Sequence, residues 1–162
     1  MRRRRNPGRK GAIKALEWIA GDDDDDNAPE ALSILLTVAG DMSDPARTAA
    51  IGALFWPAAE GIWESELRDL ETAREFLVAF ARDKSDPDRL VAIETLGRVA
   101  RFGGCDVLDA LVALASDQDG DSHLAAADAL RGAYMRPDFV GVDDLQRACE
   151  NPRVWAALQR GA

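Results

Sequence analysis

The sequence contains few of the residues from which catalytic and metal sites are usually built. Among 162 residues there is one histidine, His123, and two cysteines, Cys105 and Cys149, which form no C-x-x-C pair. A zinc site would therefore need carboxylates to complete its ligands, and we interpret both cysteines as small buried residues on helices. The motifs G-x-S-x-G and H-E-x-x-H and the P-loop are missing as well. We therefore predict no catalytic residue, no metal site and no cofactor.

Long apolar runs are missing too, and positive charge is scarce. Apolar runs such as Ile34-Leu35-Leu36 are too short to span a membrane. No apolar segment follows the basic start Met1–Arg5, so we expect a cytoplasmic protein rather than a secreted one. The 20 aspartates and 9 glutamates outnumber the 17 arginines and 3 lysines, which gives a net charge of −9. Such an acidic surface repels phosphate backbones and disfavours nucleic acid as a partner.

An internal repeat is the most informative feature that the sequence does contain. Asn6-Pro7-Gly8-Arg9 recurs as Asp44-Pro45-Ala46-Arg47 and as Asp86-Pro87-Asp88-Arg89, and the same apolar pattern follows each copy. With Asn or Asp at the N-cap and proline at the first helical position, each copy predicts the start of a helix. The apolar residues then fall on one helical face. They are Ala12, Ile13 and Leu16, then Ala50, Ile51 and Leu54, then Ala92, Ile93 and Leu96.

Two weaker copies extend the repeat toward the C-terminus, at an average spacing of about 36 residues. They are Asp119-Gly120-Asp121-Ser122-His123, with His123 at the arginine position, and Asn151-Pro152-Arg153-Val154. Other helical segments lie between the copies, at Pro29–Ala39, Glu64–Arg82, Cys105–Ala115 and Val142–Glu150. No segment alternates with a period of two, so we predict about nine helices and no sheet. We treat 1–162 as a single repeat domain with a flexible basic arm at 1–5 and an acidic loop at 21–28.

The Asp-Pro-x-Arg start followed by Ala-Ile-x-x-Leu resembles the second helix of a HEAT repeat, in the short HEAT-like form also found in phycobilin lyase subunits. The resemblance covers nearly the whole chain and implies an all-α, right-handed α-solenoid of about four to five helical hairpins. It also implies that the inner helices line a concave side and that an Asp–Arg ladder joins adjacent repeats. The ladder residues would be Asp44, Arg47, Asp86 and Arg89, with Asn6 and Arg9 at the edge. Because His123 and Val154 depart from the pattern, the ladder should weaken toward the C-terminus.

One stripe of the repeat helices, at every fourth residue beside the buried face, mixes polar with large apolar residues and should be partly exposed. The stripe consists of Lys10, Lys14 and Trp18; Thr48, Gly52 and Trp56; Leu90, Glu94 and Arg98; Leu124, Asp128 and Gly132; and Trp155 and Gln159. Trp18 and Trp56 occupy equivalent positions. If these two tryptophans are exposed, they would hold a protein partner. If they pack between helices, with Trp63 filling the same space, they would belong to the core.

The sequence therefore predicts a non-enzymatic adaptor or scaffold that binds another protein. We expect the binding residues to be Trp18, Trp56, Glu94, Arg98, Asp128 and Trp155, with the carboxylates attracting a basic portion of the partner. One alternative is an inhibitor or immunity-type protein that masks a basic cleft by charge complementarity. Another is an accessory lyase or chaperone subunit, by the resemblance to phycobilin lyase repeats. The oligomeric state stays open.

Three further features have competing interpretations. The alkylpurine DNA glycosylases are similar to HEAT-like proteins in fold and use a concave cleft that contains Trp and Asp. In this chain Trp18, Trp56, Arg98 and Asp128 would imitate that cleft. The negative net charge and the short length of the chain oppose such an activity. The run Asp22–Asp26 is either a solvated loop or a docking loop for a basic partner or for Arg2–Arg5. Asp117–Asp121 resembles the start of a calcium loop, but Ser122 stands where the sharp-turn glycine belongs.

Overall fold

The computed structural model describes residues 7–22, 25–60, 68–102, 104–117 and 120–135. Within these ranges the chain forms helices and no strand, so the predicted all-α class is confirmed. The helices are α1 (Pro7–Ala20), α2 (Ala28–Gly40), α3 (Arg47–Ala53), α4 (Phe55–Glu60), α5 (Arg68–Arg82), α6 (Arg89–Val99), α7 (Cys105–Ser116) and α8 (Gly120–Met135). None of these helices combines the length and apolar character that crossing a membrane requires.

The helices between the repeat copies agree closely with their predicted bounds. α2 extends the predicted segment Pro29–Ala39 by one residue at each end, and α7 extends Cys105–Ala115 by one residue. α5 ends at Arg82, as predicted. Several predicted features lie outside the described residues: the arm at 1–5, Trp63, the helices at Val142–Glu150 and after Asn151, Cys149 and Trp155.

The repeated Asp-Pro segments begin their helices later than the sequence predicted. α3 starts at Arg47 with Ala46 as its N-cap, so Asp44 is not the N-cap of the regular helix. Instead, Asp44 closes a turn: its Oδ1 accepts the Ala46 amide at 2.7 Å, and its carbonyl accepts the Arg47 amide at 3.1 Å. The Asp44 carboxylate thus binds a backbone amide in the turn and competes with a regular helix for the first amides of the segment. The next copy has the same turn. The side chain of Asp86 accepts the Asp88 amide, its carbonyl accepts the Arg89 amide, and α6 begins at Arg89.

One proline separates the second repeat helix into two segments. The single residue Leu54 lies between α3 and α4. Pro57 lies in the first turn of α4, where a helix can accommodate a residue without an amide hydrogen. The Ala58 amide still reaches the Leu54 carbonyl at 3.0 Å, so the chain stays helical on both sides of the break. The first repeat helix, α1, has no such interruption.

Successive repeat copies pack on one another through their helices. α2 packs against α3, α5 against α6 and α7 against α8 as consecutive helices. In addition α1, the α3–α4 element, α6 and α8 contact one another in that order, and so do α2, α5 and α7. The apolar positions that define the repeat are buried in this packing. They are Ile13, Ile51, Ile93 and Ala127.

Small residues allow α6 and α8 to approach closely. A Cβ atom added at Gly97 would lie 2.6 Å from the Cβ of Ala129 and 3.1 Å from its Cα. The Cα atom belongs to the backbone of α8, so the clash would not be relieved by a side-chain rotation. Gly21 plays the same part at the end of α1, where an added Cβ would lie 2.6 Å from the Cβ of Trp56.

Gly97→Ala should therefore destabilise the protein, even though alanine is the better helix former. Forcing α6 away from α8 should cost about 1–3 kcal/mol. Because the added Cβ would meet backbone, we expect the upper part of that range, which exceeds the helix-propensity gain of about 1 kcal/mol. Gly11→Ala is the matched control, because an added Cβ on this exposed helical glycine meets nothing within 4 Å. We expect that control to stabilise by about 0.5–1 kcal/mol. Equal urea midpoints for the two variants would contradict the close approach.

Candidate functional site

The stripe reaches the surface on the described repeat helices. Trp18 is 65% exposed, Leu124 is 54% exposed and Leu90 is 41% exposed. These are three of the five large hydrophobic side chains that are exposed within the described residues, the others being Ile34 and Met42. Lys10, Lys14, Thr48, Glu94, Arg98 and Asp128 are exposed as well. The stripe is thus where exposed apolar side chains concentrate.

Trp56 has a different environment from its sequence equivalent, Trp18. Its side chain is half-buried, and its ring centroid lies 4.9 Å from that of Phe55 and 6.0 Å from that of Phe102. The Phe55 and Phe102 rings are themselves 5.7 Å apart, so the three form an aromatic cluster. The break at Leu54 separates Trp56 from α3, whereas α1 continues unbroken through Trp18. Trp56 therefore packs within the aromatic cluster, whereas Trp18 is exposed to solvent.

Arg98 covers this aromatic cluster. Its guanidinium carbon lies 3.9 Å from the centroid of the Phe55 ring, which is a cation–π contact. The side chain is exposed, so the contact is made at the edge of the cluster rather than inside it. Arg98 is thus an element of packing between α4 and α6 as well as a member of the stripe.

Glu94 and Asp128 place negative charge on the stripe at equivalent positions of α6 and α8. Each lies one helical turn after an exposed leucine, Leu90 or Leu124. Asp128 accepts a hydrogen bond from Nη2 of Arg131 on its own helix, and Glu94 is exposed. The arrangement combines apolar contact area with carboxylates, which suits a partner surface that carries both apolar and basic groups. Trp155, the remaining predicted member, lies outside the described residues.

A buried ion pair joins the second and third copies of the repeat. Arg47 donates Nη1 and Nη2 to the two oxygens of Asp86, at 2.8 and 2.5 Å, and Nη1 also donates to Asp88 at 2.5 Å. Thr48 donates its hydroxyl to Asp88 at 2.7 Å, and the Phe80 ring centroid lies 5.2 Å from the guanidinium carbon. Two parallel hydrogen bonds between buried charges demand a specific geometry. They therefore fix the position of α3 relative to α6.

The other predicted ladder residues behave differently from this pair. Arg9 donates Nη2 to Asp44 at 2.5 Å and joins the first and second copies, but its side chain is half-exposed. Arg89 donates its Nε to the carbonyl of Ala81 at the end of α5, at 2.7 Å. In the following copy Gly120 stands at the position that Asp44 and Asp86 occupy. A glycine has no carboxylate to offer the arginine of the preceding copy.

The structure adds one feature that the sequence analysis missed, an extension of the repeat on its N-terminal side. Asp41 Oδ1 accepts the amide and the hydroxyl of Ser43, at 2.8 and 2.7 Å. Asp83 does the same with Ser85, at 2.9 and 2.6 Å. The serine hydroxyls, and then the serine amides, lower the pKa of both carboxyl groups. The signal was present in the sequence, since D-M-S-D-P-A-R and D-K-S-D-P-D-R share the pattern D-x-S-D-P-x-R.

The remaining titratable candidates do not assemble into a chemical site within the described residues. No group of three or more His, Cys, Asp or Glu side chains there is placed to hold a metal ion. His123 lies in the first turn of α8, and its Nδ1 is buried without a hydrogen-bond partner among those residues. Asp117, from the calcium-like segment, pairs with Nζ of Lys84 at 2.9 Å. This ion pair therefore connects the turn between α5 and α6 with the residue that follows α7.

Comparison with protein-family models, with curated proteins and with solved structures gives no match for this chain. The HEAT-like assignment therefore stays a prediction from the repeat.

Asp86→Asn should destabilise the protein at neutral pH, because Arg47 would stay buried without its bidentate partner. We expect roughly 2–3 kcal/mol, below the about 3–5 kcal/mol of a fully unpaired buried charge, since Asp88 remains. The asparagine oxygen can still accept the Asp88 amide, so the turn itself is preserved. Asp44→Asn is the control: its partner Arg9 is half-exposed, and we expect about 0–1 kcal/mol there.

The destabilisation of Asp86→Asn should also depend on pH. The side-chain hydrogen bond from Arg47 holds the pKa of Asp86 below its ordinary value. A lowered folded-state pKa stabilises the fold above the unfolded-state pKa of about 4, and that stabilisation disappears as the pH falls through the folded-state pKa. Urea unfolding of wild type and variant should therefore converge on acidification. A difference that stays constant with pH would show that the charge is not responsible.

Proposed function

We propose that this chain is a HEAT-like α-solenoid that binds another protein through the stripe and has no enzymatic activity. The observation that carries the proposal is the concentration of exposed apolar side chains on one line of the repeat helices. Trp18, Leu90 and Leu124 are all exposed and all belong to the stripe. Large exposed apolar groups set among charged ones are typical of a surface that another protein covers.

The packing supports a stack of repeats. Helices α1, α3–α4, α6 and α8 contact one another in order of the repeat copies, as the successive units of a solenoid do. Arg9–Asp44 and Arg47–Asp86 link successive copies at equivalent positions of the motif. These contacts are what a HEAT-like ladder requires. A right-handed superhelix with the stripe on its concave side is the arrangement that the resemblance implies.

The chemistry of the stripe supports a protein partner with a basic portion. A tryptophan exposed to this extent has the largest contact area of any side chain and is enriched among residues that dominate binding energy. The carboxylates of Glu94 and Asp128 would accelerate and orient the approach of a basic segment. The stripe is also free of the histidine, cysteine and serine combinations on which hydrolytic or redox chemistry depends.

Trp18→Ala should abolish most partner binding and leave the fold intact, because the side chain is exposed and removing it leaves no cavity. The loss should be about 2–4 kcal/mol if Trp18 dominates the interface. Met42→Ala is the matched control, since Met42 is 63% exposed but lies off the stripe. The measurement is affinity capture from the lysate of the source organism with mass spectrometry, followed by titration of the purified partner. A partner that binds both variants equally well would contradict the proposal.

Trp56→Ala should have the opposite effect, with a loss of stability rather than a specific loss of binding. Its ring packs against Phe55 and Phe102, so its removal should cost about 3 kcal/mol in free energy of unfolding. Thermal melts of the Trp18 and Trp56 variants side by side measure this difference. A Trp56→Ala protein that melts like wild type would place Trp56 among the binding residues instead.

A further inference from the structure

Two arginines at the C-terminal end of α6 have no carboxylate partner among the described residues. The Arg98 guanidinium contacts the Phe55 ring, and Nε of Arg101 is buried without a hydrogen-bond acceptor within those residues. Acidic residues outnumber basic ones 29 to 20, so an arginine without a carboxylate is unexpected in this chain. The arginines that do pair with aspartates are Arg9, Arg47, Arg74 and Arg131. A buried donor without an acceptor is costly, so an acceptor supplied by a binding partner would be favourable.

The carboxylates of the stripe do not neutralise these two arginines. Glu94 is exposed one helical turn before Arg98, and no ion pair forms between these two described residues. Asp128 on α8 pairs with Arg131 of its own helix. The charge along α6 therefore changes from acidic at Glu94 to basic at Arg98 and Arg101, over about 6 Å of helix.

The two guanidinium groups lie at one level of neighbouring helices. Arg98 lies nine residues after the motif residue Arg89, and Gly132 lies nine residues after the equivalent His123. Nη2 of Arg101 lies 3.6 Å from the position that a Cβ atom at Gly132 would occupy, so Arg101 extends from the end of α6 to α8. These two helices pack against each other, and packed helices are about 8–10 Å apart. One short peptide segment can therefore reach both guanidinium groups.

Local contacts hold both side chains and leave their donors available. At 3.9 Å from the ring centroid, the guanidinium carbon of Arg98 leaves no room for a nitrogen between itself and Phe55. The flat face of the guanidinium therefore meets the ring, and its N–H donors, which lie in the plane, remain for an acceptor. Arg101 lies in the turn after α6, where its amide donates to the Arg98 carbonyl at 3.3 Å. A partner would therefore meet donors that are already in place.

We infer that Arg98 and Arg101 bind carboxylates of an acidic segment in the partner protein. The inference rests on the proposed function, because the segment belongs to the protein that covers the stripe. A planar guanidinium binds a carboxylate through two parallel hydrogen bonds, which are stronger than those to an uncharged amide. The rings of Trp56 and Phe102, both partly exposed and in contact with each other, would pack against apolar atoms of the same segment.

The site and the neighbouring carboxylate together specify the order of charges in the partner. Glu94 attracts a basic group and Arg98, one turn further, attracts an acidic group, so opposite charges about 6 Å apart along the segment fit α6. The net charge of −9 repels an acidic segment at long range. Binding of such a segment must therefore come from local contacts, which single substitutions can remove.

The experiment titrates the ¹⁵N-labelled full chain with an acetylated and amidated tetraglutamate peptide and follows the arginine Nε–Hε signals by NMR. The signals of Arg98 and Arg101 should move together and saturate, because both groups donate to the same peptide. A tetraglutamine peptide at equal ionic strength should leave these signals in place. Inorganic phosphate at equal ionic strength should move them less than the tetraglutamate peptide does.

Three variants locate the binding. Arg98→Gln and Arg101→Gln should each raise the dissociation constant of the tetraglutamate peptide about tenfold or more, since each removes charge-assisted hydrogen bonds. Each variant also assigns its own signal by the loss of that signal. Arg82→Gln is the matched control, because Arg82 is exposed at the end of α5 and its substitution changes the net charge by the same amount. That control should bind the peptide as wild type does, and circular dichroism should be the same for all three.

Each other outcome overturns the inference. Signals that stay in place up to about 10 mM tetraglutamate peptide would show an affinity too weak for an interface contact. An equal response to tetraglutamine would show that charge is not recognised, and a stronger response to phosphate would show that the site takes phosphate groups. An equal loss of binding in Arg82→Gln would assign the effect to net charge. If the tetraglutamate peptide does not bind but Trp18→Ala still loses a captured partner, the carboxylate site is wrong and the proposed function stands.

Discussion

The bidentate contact between Arg47 and Asp86 determines how one repeat copy sits on the next. Both side chains are almost completely buried, and the guanidinium also holds Asp88 at the entrance to α6. A slip of α3 along α6 by one helical turn would move the charges apart by about 5.4 Å and leave them unpaired in the interior, which is strongly unfavourable. Hydrophobic contacts tolerate small displacements, whereas this pair does not. It therefore sets the register in which the apolar faces pack.

The same carboxylate that makes this contact also builds the turn before the helix. Asp86 accepts the Asp88 amide and at the same time receives Arg47, so turn geometry and stacking are coupled in one side chain. The fourth copy shows what happens without it. Gly120 replaces the aspartate, and α8 begins at Gly120, three residues before His123, whereas α6 begins only at the motif arginine, Arg89. An aspartate at this position therefore moves the helix start toward the C-terminus. Its carboxylate also links the copy to the preceding one.

The sequence predicts the helices and the exposed stripe well, because helical periodicity separates buried from exposed positions. Ile13, Ile51 and Ile93 are buried as their spacing requires. The environments of Trp18 and Trp56 were not predictable, because Trp56 packs against Phe102, a residue from a turn more than forty positions later. The helix starts were misplaced for a local reason. Propensity rules place aspartate at the N-cap, but here the side chain competes with the helix for the first amides.

The register set by the buried pair also determines the surface. Side chains at the same distance from the motif residue lie at the same level on neighbouring helices only while the copies stay in register. Lys14, Gly52, Glu94 and Asp128 each lie five residues after the motif residue of their copy, so they lie at one level of the stack although no two of them are close in the sequence. The close approach of Gly97 to Ala129 constrains the position of α8 against α6 in the same way. A displacement at Arg47 would therefore change the arrangement of exposed side chains on the repeat helices, even though Arg47 itself is buried.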